Sequence, residues 1–219
     1  VDALEAIRKR RAVRTYTDRP VDDATLDKLL RLALRAPTGG NQQAWSVLVV
    51  RDPEVRARVA DIVIAGGARY FSVMRPPAEG HTAEQHAEWA RGYADQVLGS
   101  YRQVPVWIVG LLIPSTKYPE EMREGGYVDD LVSLAFAMEN LFVAARAEGL
   151  GTVPTTAFQR WEKDTLREVL GLPGEVDPAI MTPLGYPPEF PEGLAPALAK
   201  MRRPWRSLVH DDRWGNTRA

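Results

Sequence analysis

The stretch RAPTGGNQQAW, residues 35–45, decides how the rest of the chain is read. It closes an apolar helical run at Pro37, spends Thr38, Gly39, Gly40, Asn41, Gln42 and Gln43 on small and polar types, and restarts on Trp45. A two-residue turn would have connected the same elements. An ordinary loop accounts for each residue singly, since glycine permits positive φ and Asn and Thr hydrogen-bond locally. Two adjacent glycines also let the backbone approach a flat ligand, with amide and hydroxyl groups beside it.

Upstream of this loop, Asp22 or Asp23 opens a helix whose Leu26, Leu29, Leu30 and Ala33 recur at i, i+3, i+4 and i+7, with Pro37 as its stop. At the chain start, Asp2 with Glu5 reads as a capping box on a short helix whose Leu4 and Ile7 are expected to face inward. Its C-terminal end and the residues beyond carry the arginines of RKRRAVR, a position that favours cations. Downstream, WSVLVV (45–50) is a buried strand, and Arg51-Asp52-Pro53 predicts an N-capped helix carrying Val55, Val59, Ile62 and Val63.

Residues 66–103 break the pattern. Gly66-Gly67, Pro76-Pro77 and Gly80 suggest an excursion holding one helix from about Thr82 to Tyr101, a place for substrate contacts. His81 and His86 stand five apart with Glu84 and Glu88 near, but no third ligand has a fitting spacing. No metal site is expected, and both histidines are assigned to the surface.

VPVWIVGLLI (104–113) is the second buried strand. After a loop bearing Pro and Gly, Tyr127 to Glu148 forms a long helix in which Leu131, Val132, Leu134, Phe136, Met138, Leu141 and Phe142 leave almost no polar face. Such a helix must be covered on every side, by its own domain or by a second subunit. Gly149 and Gly151 follow a helix instead of a strand, so this G-x-G marks a helix end and exit, not a dinucleotide loop. TVPTTAF (152–158) is a loop with three hydroxyls, followed by a helix that takes in Trp161 and runs to about Leu170. A strand from Ile180 to Leu184, the turn Gly185-Tyr186-Pro187 and an arm from Pro188 complete the chain. The arm carries Trp205, Leu208, Val209 and Trp214 with no helix left to receive them, so it is expected to pack on a partner subunit.

Composition narrows the function. The chain has 219 residues, 45% hydrophobic and 26% charged, which suits a single globular domain over 1–219. It has no cysteine, which excludes disulfides, Cys-ligated zinc, iron–sulfur clusters and thiol nucleophiles together. No apolar run is long enough to span a membrane, and VDALEAIRKR has no signal-peptide core, so a cytoplasmic protein is expected. The net charge of −1 gives no global attraction to nucleic acid or acidic membranes. Basic sites are local: Arg8, Lys9, Arg10, Arg11 and Arg14 near the start, and Lys200, Arg202, Arg203 and Arg206 near the end. If the ends meet, two or three guanidinium groups could fork onto one phosphate.

RKRRAVRTYTDRPV, RAPTGGNQQAW, MENLFVAARAEGLGT, PLGYP and MRRPWRSLVH, in that order, resemble the signature segments of the nitroreductase family. The resemblance spans Ala6 to about His210, with no signature in 66–103. It implies an α+β fold, a central, mainly antiparallel sheet flanked by helices, in an intertwined homodimer that carries FMN and uses NAD(P)H as co-substrate. It further implies that Arg10, Arg11 and Arg14 hold the FMN phosphate and ribityl chain, with Arg202 and its neighbour Arg203 on the same phosphate. Ala12 stands where the family commonly has Ser, one hydroxyl contact fewer. Pro37, Thr38, Gly39 and Asn41 match the loop that lies against the flavin of the other subunit, and Ala44 replaces a usual Pro, loosening the loop exit. Pro154, Thr155 and Thr156 match the segment passing flavin N5, where Thr155 and Thr156 would tune the reduced ring. No side chain is expected to act as a catalytic nucleophile.

The implied reaction is ping-pong: hydride passes from NAD(P)H through flavin N5 to a small, aromatic acceptor such as a nitroaromatic or quinone. The pair Thr155-Thr156 also resembles the flavin loop of reductive dehalogenases and deiodinases, although 66–103 shows no clear match to their substrate lid. A flavin-fragmenting synthase fits the PTGGNQQAW loop less well. A nucleic-acid-binding module built on RKRRAVR would need a basic domain overall.

Overall fold

A computed structural model describes residues 1–113, 119–194 and 196–218. Part of the loop expected after VPVWIVGLLI, and Ala195 and Ala219 of the arm, lie outside the described residues. The helices are α1 (Ala3–Lys9), α2 (Asp23–Ala33), α3 (Pro53–Met74), α4 (Ala83–Leu98), α5 (Arg123–Ala147), α6 (Lys163–Leu170) and α7 (Pro196–Met201). The strands are β1 (Trp45–Val50), β2 (Val106–Leu112), β3 (Gly151–Thr152) and β4 (Asp177–Gly185), paired antiparallel in the order β1-β2-β4-β3. This is the α+β arrangement expected.

β2 organises the molecule because both its faces are covered, which is why its sequence is continuously apolar. Trp107, Val109 and Leu111 point to a core shared with α3, α4 and α6, through Val59, Val63, Ala94, Leu98 and Leu166. Val106, Ile108 and Leu112 point to a second core, where Leu26 and Leu29 of α2 meet Leu134, Met138, Leu141 and Phe142 of α5. The period-2 alternation of one strand thus divides the helices into two layers.

Several expectations need correction. Leu4 and Ile7 are exposed, and Ala6 is the residue α1 buries, so the apolar pattern of that helix marks a surface and not the chain's own core. Asp2 does cap α1, accepting the Glu5 N–H at 2.9 Å, but the Glu5 carboxylate turns to Lys9 at 2.5 Å instead of closing the box. α2 stops at Ala33, ahead of Pro37, and the chain between them tightens into turns in which the Arg35 and Ala36 N–H groups donate to the Leu32 and Ala33 carbonyls at 3.2 Å each. In β1 only Val50 is buried, as befits an edge strand with one neighbour. α5 begins at Arg123, β4 begins at Asp177, and Trp161 falls in a turn ahead of α6.

The largest correction concerns Gly66-Gly67, which do not break α3. The helix runs through them to Met74 because they let it approach its neighbours: a Cβ on Gly66 would stand 2.8 Å from the Ala157 carbonyl oxygen, and one on Gly67 2.5 Å from a Leu98 methyl. The excursion is therefore a helical hairpin, α3 against α4. His86 is buried inside it, its Nε2 2.9 Å from the Ser72 carbonyl and its ring stacked on Trp89, so it is not a surface residue; His81 is exposed. Gly149 ends α5 with φ +79°, as expected, whereas Gly151 belongs to β3.

Tyr16 and Tyr101 are buried side by side, and Tyr101 meets Trp107 edge-on at 5.6 Å. Burial raises both phenols, Tyr101 to about 12 and Tyr16 well above its ordinary value. In the unfolded chain both ionise near ~10. Between these values the unfolded state holds fewer protons, so stability falls as pH rises from ~10 through about 12, by about 3 kcal/mol for Tyr101 alone. Urea unfolding at pH 8 and pH 11 should show Tyr101→Phe losing less stability over this interval than the native chain. Equal losses would contradict the assignment.

Candidate functional site

Residues 10–14 leave α1 in extended backbone and run beside β3. Ala12 pairs in parallel with Thr152, and the Val13 N–H donates to the Thr152 carbonyl at 3.0 Å. Val13 turns into the core, where Gly151 makes room for it: a Cβ on Gly151 would lie 2.7 Å from a Val13 methyl. Alternation along extended chain then turns Arg14 outward, where it is exposed and lines a cavity of about 300 Å³ with Thr15, Pro188 and Glu189.

Arg10 Nε lies 3.3 Å from a Glu139 carboxylate oxygen on α5. Arg11 folds back on the end of α1, its Nη1 donating to the carbonyls of Arg8 and Arg10 at 2.8 Å each. Its Nε is buried without a hydrogen-bond partner. A buried donor left unmet costs ~1–3 kcal/mol. Among the described residues, Glu139 is the carboxylate paired with this group of three guanidinium ions. The group therefore carries an excess of positive charge and one buried donor without a partner.

Pro154, Thr155 and Thr156 follow β3 directly, so they sit next to the arginines. The segment is held firmly: Val153 N–H donates to Thr182 Oγ1 at 3.0 Å, Thr155 N–H to the Met181 carbonyl at 2.8 Å, and Gln159 Nε2 to the Ala179 carbonyl at 2.9 Å. Pro154 and Thr156 are exposed and Thr155 half-buried. Sequence reading missed Thr182, Glu139 and Gly66, the residues that fix this corner. No local spacing connects position 10 with 139 or 153 with 182, so the sequence carried no signal for them.

The loop 37–43 is held in an unusual backbone conformation. Gly40, Asn41 and Gln43 all adopt positive φ, at 54°, 54° and 51°, of which only the first is free of steric cost; Gly39 does not need the freedom the sequence suggested. Left-handed backbone at non-glycine residues costs ~1–3 kcal/mol each and persists where the surroundings over-determine it. Thr38 Oγ1 accepts the Gln43 N–H at 3.2 Å. The exit is tied and not loose, since Ala44 is buried and its carbonyl accepts the Ile113 N–H at 3.1 Å.

Sheet order separates these parts. The loop leads into β1 and the arginines flank β3, on opposite edges of the sheet. At ~4.8 Å per strand, the gap is roughly 19 Å across the four spacings. The arm also stands apart within one protomer: Arg202 and Arg203 are exposed, Arg203 donates to the Ser207 carbonyl at 2.9 Å, and no ion pair or hydrogen bond among the described residues joins either to Arg10, Arg11 or Arg14. The structure brings two of the four expected sets together.

The sequence model described as "Nitroreductase family" matches residues 7–186. The chain belongs to the nitroreductase family. The matched span takes in the N-terminal arginines, the loop and the Pro154–Thr156 segment, while Arg202 and Arg203 lie beyond it. Among nitroreductase-family relatives, a protein of Archaeoglobus fulgidus with the provisional name NADH dehydrogenase/NAD(P)H nitroreductase is 31% identical over 187 residues, covering 85% of this chain and 86% of that one. Iodotyrosine deiodinase 1 of Rattus norvegicus is 25% identical, over 84% of this chain and 61% of that protein. In fold, the chain resembles the NADPH:FMN oxidoreductase from Vibrio harveyi complexed with NAD+, at a TM-score of 0.69 and 18% identity, covering 97% of this chain and 77% of that one.

Proposed function

We propose that this nitroreductase-family protein is an FMN-dependent oxidoreductase that takes electrons from NAD(P)H and delivers them to a small aromatic acceptor, a nitroaromatic or a quinone. The observation that carries the reading is the arginine group at the edge of β3, with the buried Arg11 Nε unmet and Pro154–Thr156 immediately beside it. An FMN phosphate fits that donor set. Arg10, Arg11 and Arg14 would hold it by charge-assisted hydrogen bonds, with Glu139 keeping Arg10 in position. When bound, FMN supplies the two-electron relay, accepting hydride at N5 from the nicotinamide and returning it to the acceptor. Pro154, Thr155 and Thr156 would line that part of the ring, and the pairing of Thr155 with Met181 of β4 would hold the segment still.

A second copy of the chain completes the site. α5 buries Leu134, Met138, Leu141 and Phe142 but leaves Val128, Val132 and Phe136 exposed on its other side, and Tyr127 near its start and Leu4 and Ile7 of α1, which packs on α5, are exposed as well. The arm adds exposed Trp205, Leu208 and Trp214. A face this apolar belongs to an interface. In the homodimer the loop Pro37–Asn41 reaches the flavin of the partner, which removes the need to cross the sheet, and residues 188–219 act as a dimerisation arm bringing Arg202 and Arg203 toward the phosphate. The helical hairpin within 66–103 is the acceptor side. The reading is of a cytoplasmic enzyme acting on small molecules: among the described residues no helix is long and apolar enough to cross a membrane, and the net charge of −1 gives nucleic acid no hold.

The purified protein should be yellow, with about one FMN per chain released on denaturation. A colourless protein that gains no thermal stability from added FMN would sink the reading. Arg10→Ala should weaken FMN more than riboflavin, by about 1.5–3 kcal/mol, because only FMN carries the phosphate; equal losses by titration calorimetry would assign Arg10 to folding instead. Anaerobic reoxidation of the NAD(P)H-reduced enzyme by nitroaromatics, quinones and halotyrosines then ranks the acceptors. Fastest reoxidation by halotyrosines would favour the dehalogenase reading that the deiodinase relatives support.

A further inference from the structure

Between α3, α4 and the turn ahead of α6 lies a cavity of about 600 Å³, away from the arginine group described above. Its floor is made of Ala65 and Ala68 from α3 with Ala87 and Ala90 from α4, and Trp161 stands at its side. Small side chains on both helices leave a slot, and the partly exposed indole offers a flat wall. The volume is within the ~300–1,000 Å³ range of small-ligand sites.

The charges around the slot are unequal in availability. Arg69 is engaged with Glu162 at 3.6 Å. Along the same groove, Asp61 and Asp95 are both committed to Arg102, at 2.9 and 2.5 Å. Arg91 lines both this cavity and the adjoining part of the groove, and it has no ion pair among the described residues. The carboxylates that line the cavity and the groove, Glu162, Asp61 and Asp95, are taken by Arg69 and Arg102. An apolar slot with an aromatic wall and one uncommitted guanidinium at its edge matches a planar ring carrying a carboxylate: the ring lies over alanine and against Trp161, and the anion accepts from Arg91.

We propose that this cavity, which lies on the hairpin read above as the acceptor side and is lined by none of the residues assigned to the flavin, is a binding site for aromatic carboxylates. Its test does not depend on flavin chemistry. Titration calorimetry on the purified protein with 2-naphthoate and with its neutral counterpart 2-naphthamide should show the carboxylate binding about tenfold more tightly, the gain expected of one charge-assisted contact at a partly exposed site. In Arg91→Gln, which alters an exposed side chain, that preference should vanish while naphthamide binding is kept. Ala68→Leu, which fills the slot, should weaken both probes by about tenfold or more. Equal binding of the two probes, no binding at all, or a preference that survives Arg91→Gln would each overturn the proposal.

Discussion

Replacing Val132 and Phe136 together by glutamate is expected to turn the protein into a monomer that no longer retains flavin. Both residues sit on the outer side of α5, 45% and 49% exposed in the single chain, one turn apart on the stripe that also carries Val128. In the proposed dimer they are buried. Removing two large apolar side chains forgoes about 2 kcal/mol each of burial, and forcing two carboxylates into the interface adds a desolvation penalty of several kcal/mol apiece. Permanent dimers typically bury more than ~2,000 Å², and their protomers rarely persist alone. Sedimentation velocity should therefore show loss of the dimer, and gel filtration should separate protein from the yellow fraction. A double variant that still sediments as a flavin-loaded dimer would refute the interface. Deleting residues 204–219 should act in the same direction, lowering stability and FMN retention together.

Gly66→Val is expected to cost more than any exposed substitution in the chain, about 3 kcal/mol or more, with the Pro154–Thr156 segment displaced as a consequence. The new Cβ would stand 2.8 Å from the Ala157 oxygen and 3.0 Å from its carbonyl carbon, contacts with backbone and not with a movable side chain. That backbone cannot yield cheaply, because Thr155 is paired with Met181 and Gln159 is bonded to β4. Overpacking of this kind costs ~1–3 kcal/mol where neighbours can shift, and more where they cannot. Gly92→Ala is the control with the opposite sign. Position 92 lies within α4 with nothing inside 4 Å of the added carbon, so alanine should stabilise by about 0.5–1 kcal/mol. Urea midpoints at constant slope would check both, and a Gly66→Val protein as stable as the native one would show that α3 does not bear on this segment as described.

The sequence by itself determined several elements and the local charge that marks the candidate site. The apolar period of α2, the Asp52-Pro53 start of α3, the doubly buried β2 and the helix end at Gly149 are set by neighbours a few residues away, and they appear where local pattern puts them. The basic run at 8–14 and the glycine-containing loop were also legible, because charge and composition are local properties. Long-range contact decided the rest. Gly66-Gly67 read as a break because glycine is a poor helix former, yet helix packing against Ala157 and Leu98 overrides that preference. Leu4 and Ile7 read as core because an apolar residue does not announce whether its own chain or another will cover it. His86 read as surface because its partners, the Ser72 carbonyl and Trp89, assemble only when α3 and α4 pack. The pairing of Ala12 with Thr152, which sets the arginines beside Pro154–Thr156, joins residues 140 positions apart in the chain. A hydrogen bond of that span depends on the whole sheet forming first, and no local pattern encodes it.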